Sequence, residues 1–164
     1  MTNQSLTGLD FNQKYEKYRF VKLTNYLENH NGFQFQTGLN IDSVGWNDSG
    51  ECEGGGIYFC EVGKLSRWLN YSRNSMIYYR LVTIPYDALV WVERDKFKAN
   101  RIILGERHQI SDLEEWNDLS YCMEAVRQNV CALEYVSEIA KFYLEVGENG
   151  AALQYVKNEV GLEY

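Results

Sequence analysis

The segment Gly54-Gly55-Gly56-Ile57-Tyr58-Phe59 runs three glycines directly into an apolar, aromatic stretch, and Gly38-Leu39-Asn40-Ile41 precedes it. Glycines let a backbone turn with positive φ or approach a ligand closely. The segment lacks the Lys-Ser/Thr of a P-loop and the GxGxxG spacing of a dinucleotide-binding turn. Two readings therefore stand side by side: a turn that only packs, and a cleft that holds a ligand against Tyr58. Asp42, Asp48, Glu51 and Glu53 cluster ahead of the glycines. They lack the order of an EF-hand loop, and a solvated acidic loop is the simpler account. His30 and His108 are the only histidines. They lie in no nucleophile motif and form no zinc-ligand spacing with Cys52, Cys60, Cys122 and Cys131. The expectation is no metal site, with free thiols in a reducing compartment.

Charge is unevenly divided along the 164 residues. Residues 1–110 carry 13 Lys/Arg against 12 Asp/Glu, and residues 111–164 carry 3 against 11. The acidic final third argues against binding a phosphate backbone, which needs basic residues to release counterions, so no nucleic-acid partner is expected. It fits a solvated helical face or a surface for a basic partner. No apolar run approaches the ~18–20 residues of a membrane helix, and the opening MTNQSLTGLDFNQKYEKYRF is polar. The expectation is a soluble, intracellular protein with no membrane partner.

The elements that must carry the glycine segment are short and β-rich. Alternation and β-branched or aromatic residues predict strands at 18–23, 32–36, 57–60, 76–84, 88–92 and 101–104. Between them, EVGKLSRWLNYSRNS reads as a short helix burying Leu65 and Leu69. Arg94–Asn100 reads as a polar connection. The four tryptophans, Trp46, Trp68, Trp91 and Trp116, read as packing residues. From Asp112 the pattern is helical and repeats: AVRQNVCALEYV at 125–136 recurs as EVGENGAALQYV at 145–156. Asn149-Gly150 offers a C-cap with positive φ, whereas Val130 at the matching position demands a different turn. Such units bury too little alone and must dock on the β-rich part or on another chain.

The Asn-x-x-Ala-Leu-x-Tyr-Val pattern resembles short helical repeats of giant DNA viruses of the mimivirus kind. Lys22–Asn25 (KLTN), His30–Asp42 (HNGFQFQTGLNID), the GGGIYF segment and Phe97–Arg107 (FKANRIILGER) are similar to a domain that precedes the repeats in those proteins. By itself the resemblance implies a scaffold and no chemistry. A more distant resemblance is to ADP-ribosyltransferases of the poly(ADP-ribose) polymerase type, through Gly38–Ile41, Gly54–Phe59, Ser66–Tyr71 and Tyr79–Ile84. It implies Tyr58 stacked on a nicotinamide, with Gly54, Gly55 and Gly56 beside the cofactor NAD. The histidine of that family falls on Thr24 and its catalytic glutamate on Asn100. An asparagine cannot stabilise developing positive charge as a carboxylate does, so the resemblance implies a binding fold more than an enzyme.

The expected architecture is an α+β fold. A polar N-terminal arm occupies 1–18, a small mixed or antiparallel β domain with an ADP-ribosyltransferase-like split sheet occupies 19–110, and acidic helical repeats occupy 111–164. The repeat units lie near 122–138 and 142–158 and form a hairpin-repeat appendage. The expected function is a non-catalytic viral interaction module in the host cytoplasm or the virion, binding a host or viral protein. Alternatives are an NAD-using, ADP-ribosyltransferase-like enzyme acting through Thr24, Tyr58 and Asn100 or a nucleotide-binding domain, and a self-associating structural or virion protein.

Overall fold

The computed structural model describes residues 4–49, 53–71 and 75–146. Its centre is one nine-stranded sheet in which every pairing is antiparallel. The strands are β1 (Gln4–Thr7), β2 (Phe20–Thr24), β5 (Gly38–Ile41), β6 (Ile57–Glu61), β7 (Tyr78–Thr83), β8 (Leu89–Val92), β9 (Phe97–Ala99), β10 (Arg101–Leu104) and β11 (His108–Gln109). Their order is β1-β8-β9-β6-β2-β7-β10-β5, with β11 also paired to β7. A separate hairpin joins β3 (Asn29–His30) and β4 (Phe33–Gln34). β9 and β10 are successive, yet one pairs with β6 and β8 and the other with β5 and β7. Asn100 is the joint between them.

The sheet buries both faces, because alternate residues of each strand point to opposite sides. One face contributes Phe20, Phe59, Val82, Val90, Phe97, Ile102 and Leu104 to a core completed by Phe11 of α1 (Gly8–Lys14). The other contributes Val21, Leu23, Cys60 and Tyr79 to a second core. That core is closed by a 3₁₀ helix at Val62–Trp68 and by the C-terminal helices α2 (Leu119–Gln128) and α3 (Glu138–Val146). Leu65 and Leu69 are buried in it, on the face their spacing predicts.

The segment 1–18 contributes a strand and a helix. Thr7 caps α1 by accepting a hydrogen bond from Asp10 N, and Phe11 is fully buried against four aromatic rings, Tyr15, Phe20, Phe59 and Phe97. Arg94–Asn100 contains β9, whose three residues are all buried, Lys98 included.

The expected α+β fold with a split, ADP-ribosyltransferase-like sheet and a helical appendage is corrected by this architecture. The sheet is a single antiparallel assembly of nine strands, and the first repeat unit forms no free-standing helical hairpin among the described residues. Its apolar positions Cys122, Ala125, Ala132 and Val136, and Ala140 just after it, lie in the core beneath the sheet. Its polar positions bind the 3₁₀ helix: Asn129 donates to the Ser66 carbonyl at 2.8 Å and Gln128 to the Gly63 carbonyl at 3.0 Å. The helices are consumed as a lid on the sheet. Asn129 is extended and caps Cys131 N, which starts a 3₁₀ turn at Val130–Glu134, so the unit turns without a residue at positive φ. Most of the second unit, 142–158, lies outside the described residues.

Candidate functional site

β2 and β6 pair only at Phe20–Glu61 and Val21–Cys60. Beyond those pairs β2 follows β7 as far as Thr24, and β6 follows β9 back to Ile57. The two strands splay, and a cavity of about 390 Å³ opens between them. That volume falls at the lower end of the range for small-molecule sites. Lys22, Leu23 and Thr24 line one side, and Gly54, Gly55, Gly56, Ile57, Tyr58 and Phe59 line the other. Phe33 and Phe35, His30, Trp68 and Tyr71 complete the wall.

The structure thus brings Thr24, the three glycines and Tyr58 to one cavity, and leaves Asn100 out of its lining. Asn100 Oδ1 accepts from Leu89 N at 2.9 Å, Asn100 N donates to the Leu89 carbonyl, and its own carbonyl accepts from Asp42 N. These bonds tie β8 and the end of β5 to the β9–β10 joint. Thr24 is buried and donates to Glu28 at 3.3 Å. The Tyr58 ring already carries the Lys96 ammonium 4.3 Å from its centroid and the Lys98 ammonium 5.5 Å away. A planar ligand stacking on the Lys96 side would have to displace that lysine.

The glycine loop is held by its own neighbours. Gly55 and Gly56 have φ of 86° and 144°, where side chains are strained, and a Cβ on Gly55 would strike the Gly45 carbonyl. A Cβ on Gly56 would meet the Lys98 stem at 2.5 Å. The Gly56 amide donates to Asp42 Oδ2 at 2.6 Å, and the other oxygen of Asp42 accepts from Val44 N. The position a phosphate would take on this amide is filled by a carboxylate. Glu53 is likewise engaged by Ser49 at 2.7 Å and Asn47 at 3.2 Å. Among the described residues no cluster of three or more His, Cys, Asp and Glu could hold a metal.

Two lysines and an arginine in this region are charged groups withdrawn from water. Lys98 is fully buried; its ammonium donates to the Ser49 carbonyl at 2.7 Å, and burial holds its basicity below the ordinary lysine value. Arg80 is buried and paired in both directions with Glu28, Nε to Oε2 at 2.7 Å and Nη2 to Oε1 at 2.9 Å. Burial pushes the Glu28 carboxyl up, but hydrogen bonds and charge from Arg80, with help from Thr24 and Arg107, prevail and hold it below the usual value.

Lys22, the cross-strand partner of Arg80, has no such counter-charge among the described residues. Its ammonium lies 4.7 Å above the Phe35 ring and makes no hydrogen bond or ion pair with any described residue. Burial brings its pKa down to about 8. Burial also pushes the Cys60 thiol up to about 12, which leaves it a poor nucleophile, and lowers His30 so that it stays neutral near pH 7. Lys22 is the site residue that spacing did not single out. Its signal is a lysine inside FVKLT, a strand whose only other polar residue is Thr24.

No family model and no solved structure matches the chain, and the resemblance to ADP-ribosyltransferases gains no support. Similar proteins occur in Acanthamoeba polyphaga mimivirus. "Uncharacterized protein R869" is 34% identical over 109 residues, covering 63% of this chain and 76% of that protein. "Putative ankyrin repeat protein R868" is 34% identical over 107 residues, covering 61% and 51%, and "Putative ankyrin repeat protein R229" is 32% identical over 105 residues, covering 58% and 33%. The chain therefore spans about three quarters of the first relative, half of the second and a third of the third. The chain belongs to the mimivirus protein family that includes R869.

Proposed function

We propose that the chain is a non-catalytic protein-interaction module acting in the host cytoplasm or the virion. One observation carries this reading. Leu39 of β5 pairs with Ile103 of β10, and Ile103 pairs with Thr83 of β7. Ile41 and Leu81 stand two residues along on the same face. All four apolar side chains are exposed, Leu39 and Ile41 at about half their surface. This strip continues the face that the C-terminal helices cover over β2 and β6, but it lies past their reach and beside the edge strand β5. A contiguous apolar patch with a sheet edge beside it is a docking surface for another protein. The ankyrin-repeat names of the relatives fit such a role.

The test is affinity capture from infected host cells with the wild-type chain and with a Leu39→Glu, Ile103→Glu variant. The expected result is loss of a specific host or viral partner at unchanged thermal stability. Equal capture by both chains would remove the strip from the argument, and light scattering would show whether a second copy of the chain occupies it. The NAD-using alternative draws on the cavity that unites Thr24, Gly54–Gly56 and Tyr58. Against it, Asn100 serves the sheet, Asp42 fills the Gly56 amide and Lys96 covers Tyr58. Calorimetry at millimolar NAD is expected to give no heat of binding, and a saturable isotherm would reinstate it.

A further inference from the structure

Of all charged groups around the cavity, Lys22 alone has nothing described to balance it. Its neighbour on β7, Arg80, is neutralised by Glu28. On the opposite wall Lys96 pairs with Glu93 at 3.5 Å and rests on Tyr58. The two lining carboxylates, Asp42 and Glu53, are spent on the loop. The remaining titratable groups facing Lys22 are His30 from the hairpin and Cys60 from β6, and both are neutral near pH 7. A half-buried ammonium against an aromatic ring is costly without a counter-ion. The wall around it carries the rings of Phe33, Phe35, Tyr58, Trp68 and Tyr71 beside the neutral amides of Asn25, Asn29 and Asn31, and β2 and β6 part to leave the space.

We propose that this cavity binds a small aromatic carboxylate, its carboxylate on the Lys22 ammonium and its ring among Phe33, Phe35 and Tyr71. A carboxylate suits the site better than a phosphate for two reasons. One uncompensated ammonium balances one negative charge, and the Gly56 amide that could cradle a second is bound to Asp42. Among the described residues no arginine lines the cavity to supply the bidentate fork that phosphate favours. This inference is independent of the exposed strip on the other part of the sheet.

The experiment is a calorimetric titration of the full chain at neutral pH with benzoate, with its neutral isostere benzamide, and with phenyl phosphate. Saturable one-to-one binding of benzoate is expected. Benzamide should bind about tenfold more weakly or worse, the loss of one charge-assisted hydrogen bond. Lys22→Met should weaken benzoate by a similar factor, with a Tm no lower than wild type, since it removes an uncompensated charge. In the wild-type chain, NMR of the labelled lysine side chain should show the Lys22 pKa rising when benzoate is added. That measurement decides the matter even where the variant fails to fold. Benzoate binding that ignores Lys22→Met, equal affinities for benzoate and benzamide, or an unmoved Lys22 pKa under saturating benzoate would overturn the proposal. So would no benzoate binding at millimolar concentration. Tighter binding of phenyl phosphate than of benzoate would overturn the carboxylate assignment.

Discussion

Glu28 holds a positive φ of 50° and is buried with its carboxylate locked to Arg80. It anchors the turn between β2 and the hairpin, and Arg80 extends the network to Thr37 and the Gly105 carbonyl. Replacing Glu28 by Gln keeps shape and backbone strain but leaves a buried guanidinium without its counter-charge. A loss of roughly 3–5 kcal/mol is expected in chemical denaturation. The sign of the pH dependence follows from the lowered carboxyl. The unfolded chain takes up this proton first, so the ion pair stabilises fully above the ordinary value of 4.5 and is lost as pH falls through the lower folded value. The wild type should lose stability on acidification in that window, and Glu28→Gln should lose correspondingly less. None of this was legible in sequence, since Glu28 and Arg80 are 52 residues apart and neither sits in a motif. Lys98 was hidden in the same way, because KFKAN reads as a polar connection until Trp46, Tyr58 and the Ser49 carbonyl are seen around it. Tyr58 and the glycines were legible because glycine before an aromatic strand is rare enough to stand out.

The N-terminal strand and helix are pinned by one close approach. Gly8 N donates to the Ala88 carbonyl at 2.7 Å, and a Cβ on Gly8 would collide with the Pro85 carbonyl. Gly8→Ala should therefore destabilise the protein by roughly 1–3 kcal/mol through overpacking, read as a lower Tm, despite alanine's better helix propensity. An unchanged or raised Tm would mean that β1 and α1 do not pack as described. The Thr7 cap on Asp10 N appears only in the structure, since the polar composition of 1–18 reads as an arm. The strands at 57–60, 88–92 and 101–104 were legible almost to the residue, because they alternate or are β-branched. β1 and β9 were not, because QSLT and FKA owe their strand state to the partners β8 and β6. The repeat pattern predicted a helical hairpin unit near 122–138, whereas the chain forms α2 at Leu119–Gln128 and a 3₁₀ turn at Val130–Glu134 packed under the sheet, because periodicity shows that a face is apolar without showing what covers it.

At the scale of the molecule, the two cores meet through the sheet, and the acidic C-terminal segment supplies one of them. Trp116 stacks on Tyr135 with centroids 5.4 Å apart and donates to the Ile110 carbonyl at 2.7 Å. Ile110, Leu113 and Trp116 share a cluster with Val21, Leu23 and Tyr79. A fragment ending at residue 110 is expected to expose that face, bind a hydrophobic dye and lose its sharp thermal transition. A cooperative melt from that fragment would show that the sheet stands without its cover. The sequence by itself determined the strands at 57–60, 88–92 and 101–104 and the helical character of the segment after Asp112. It also marked the family through the Asn-x-x-Ala-Leu-x-Tyr-Val unit and placed a glycine turn before Tyr58, since each of these rests on local pattern. The tertiary structure alone decided that the helices cap the sheet and that Asn100 joins strands and stays out of the cavity. It alone decided that β2 and β6 part and that no described residue supplies Lys22 with a counter-charge. Those outcomes depend on pairings between residues far apart in the chain, where register and burial are set by partners that no local window contains.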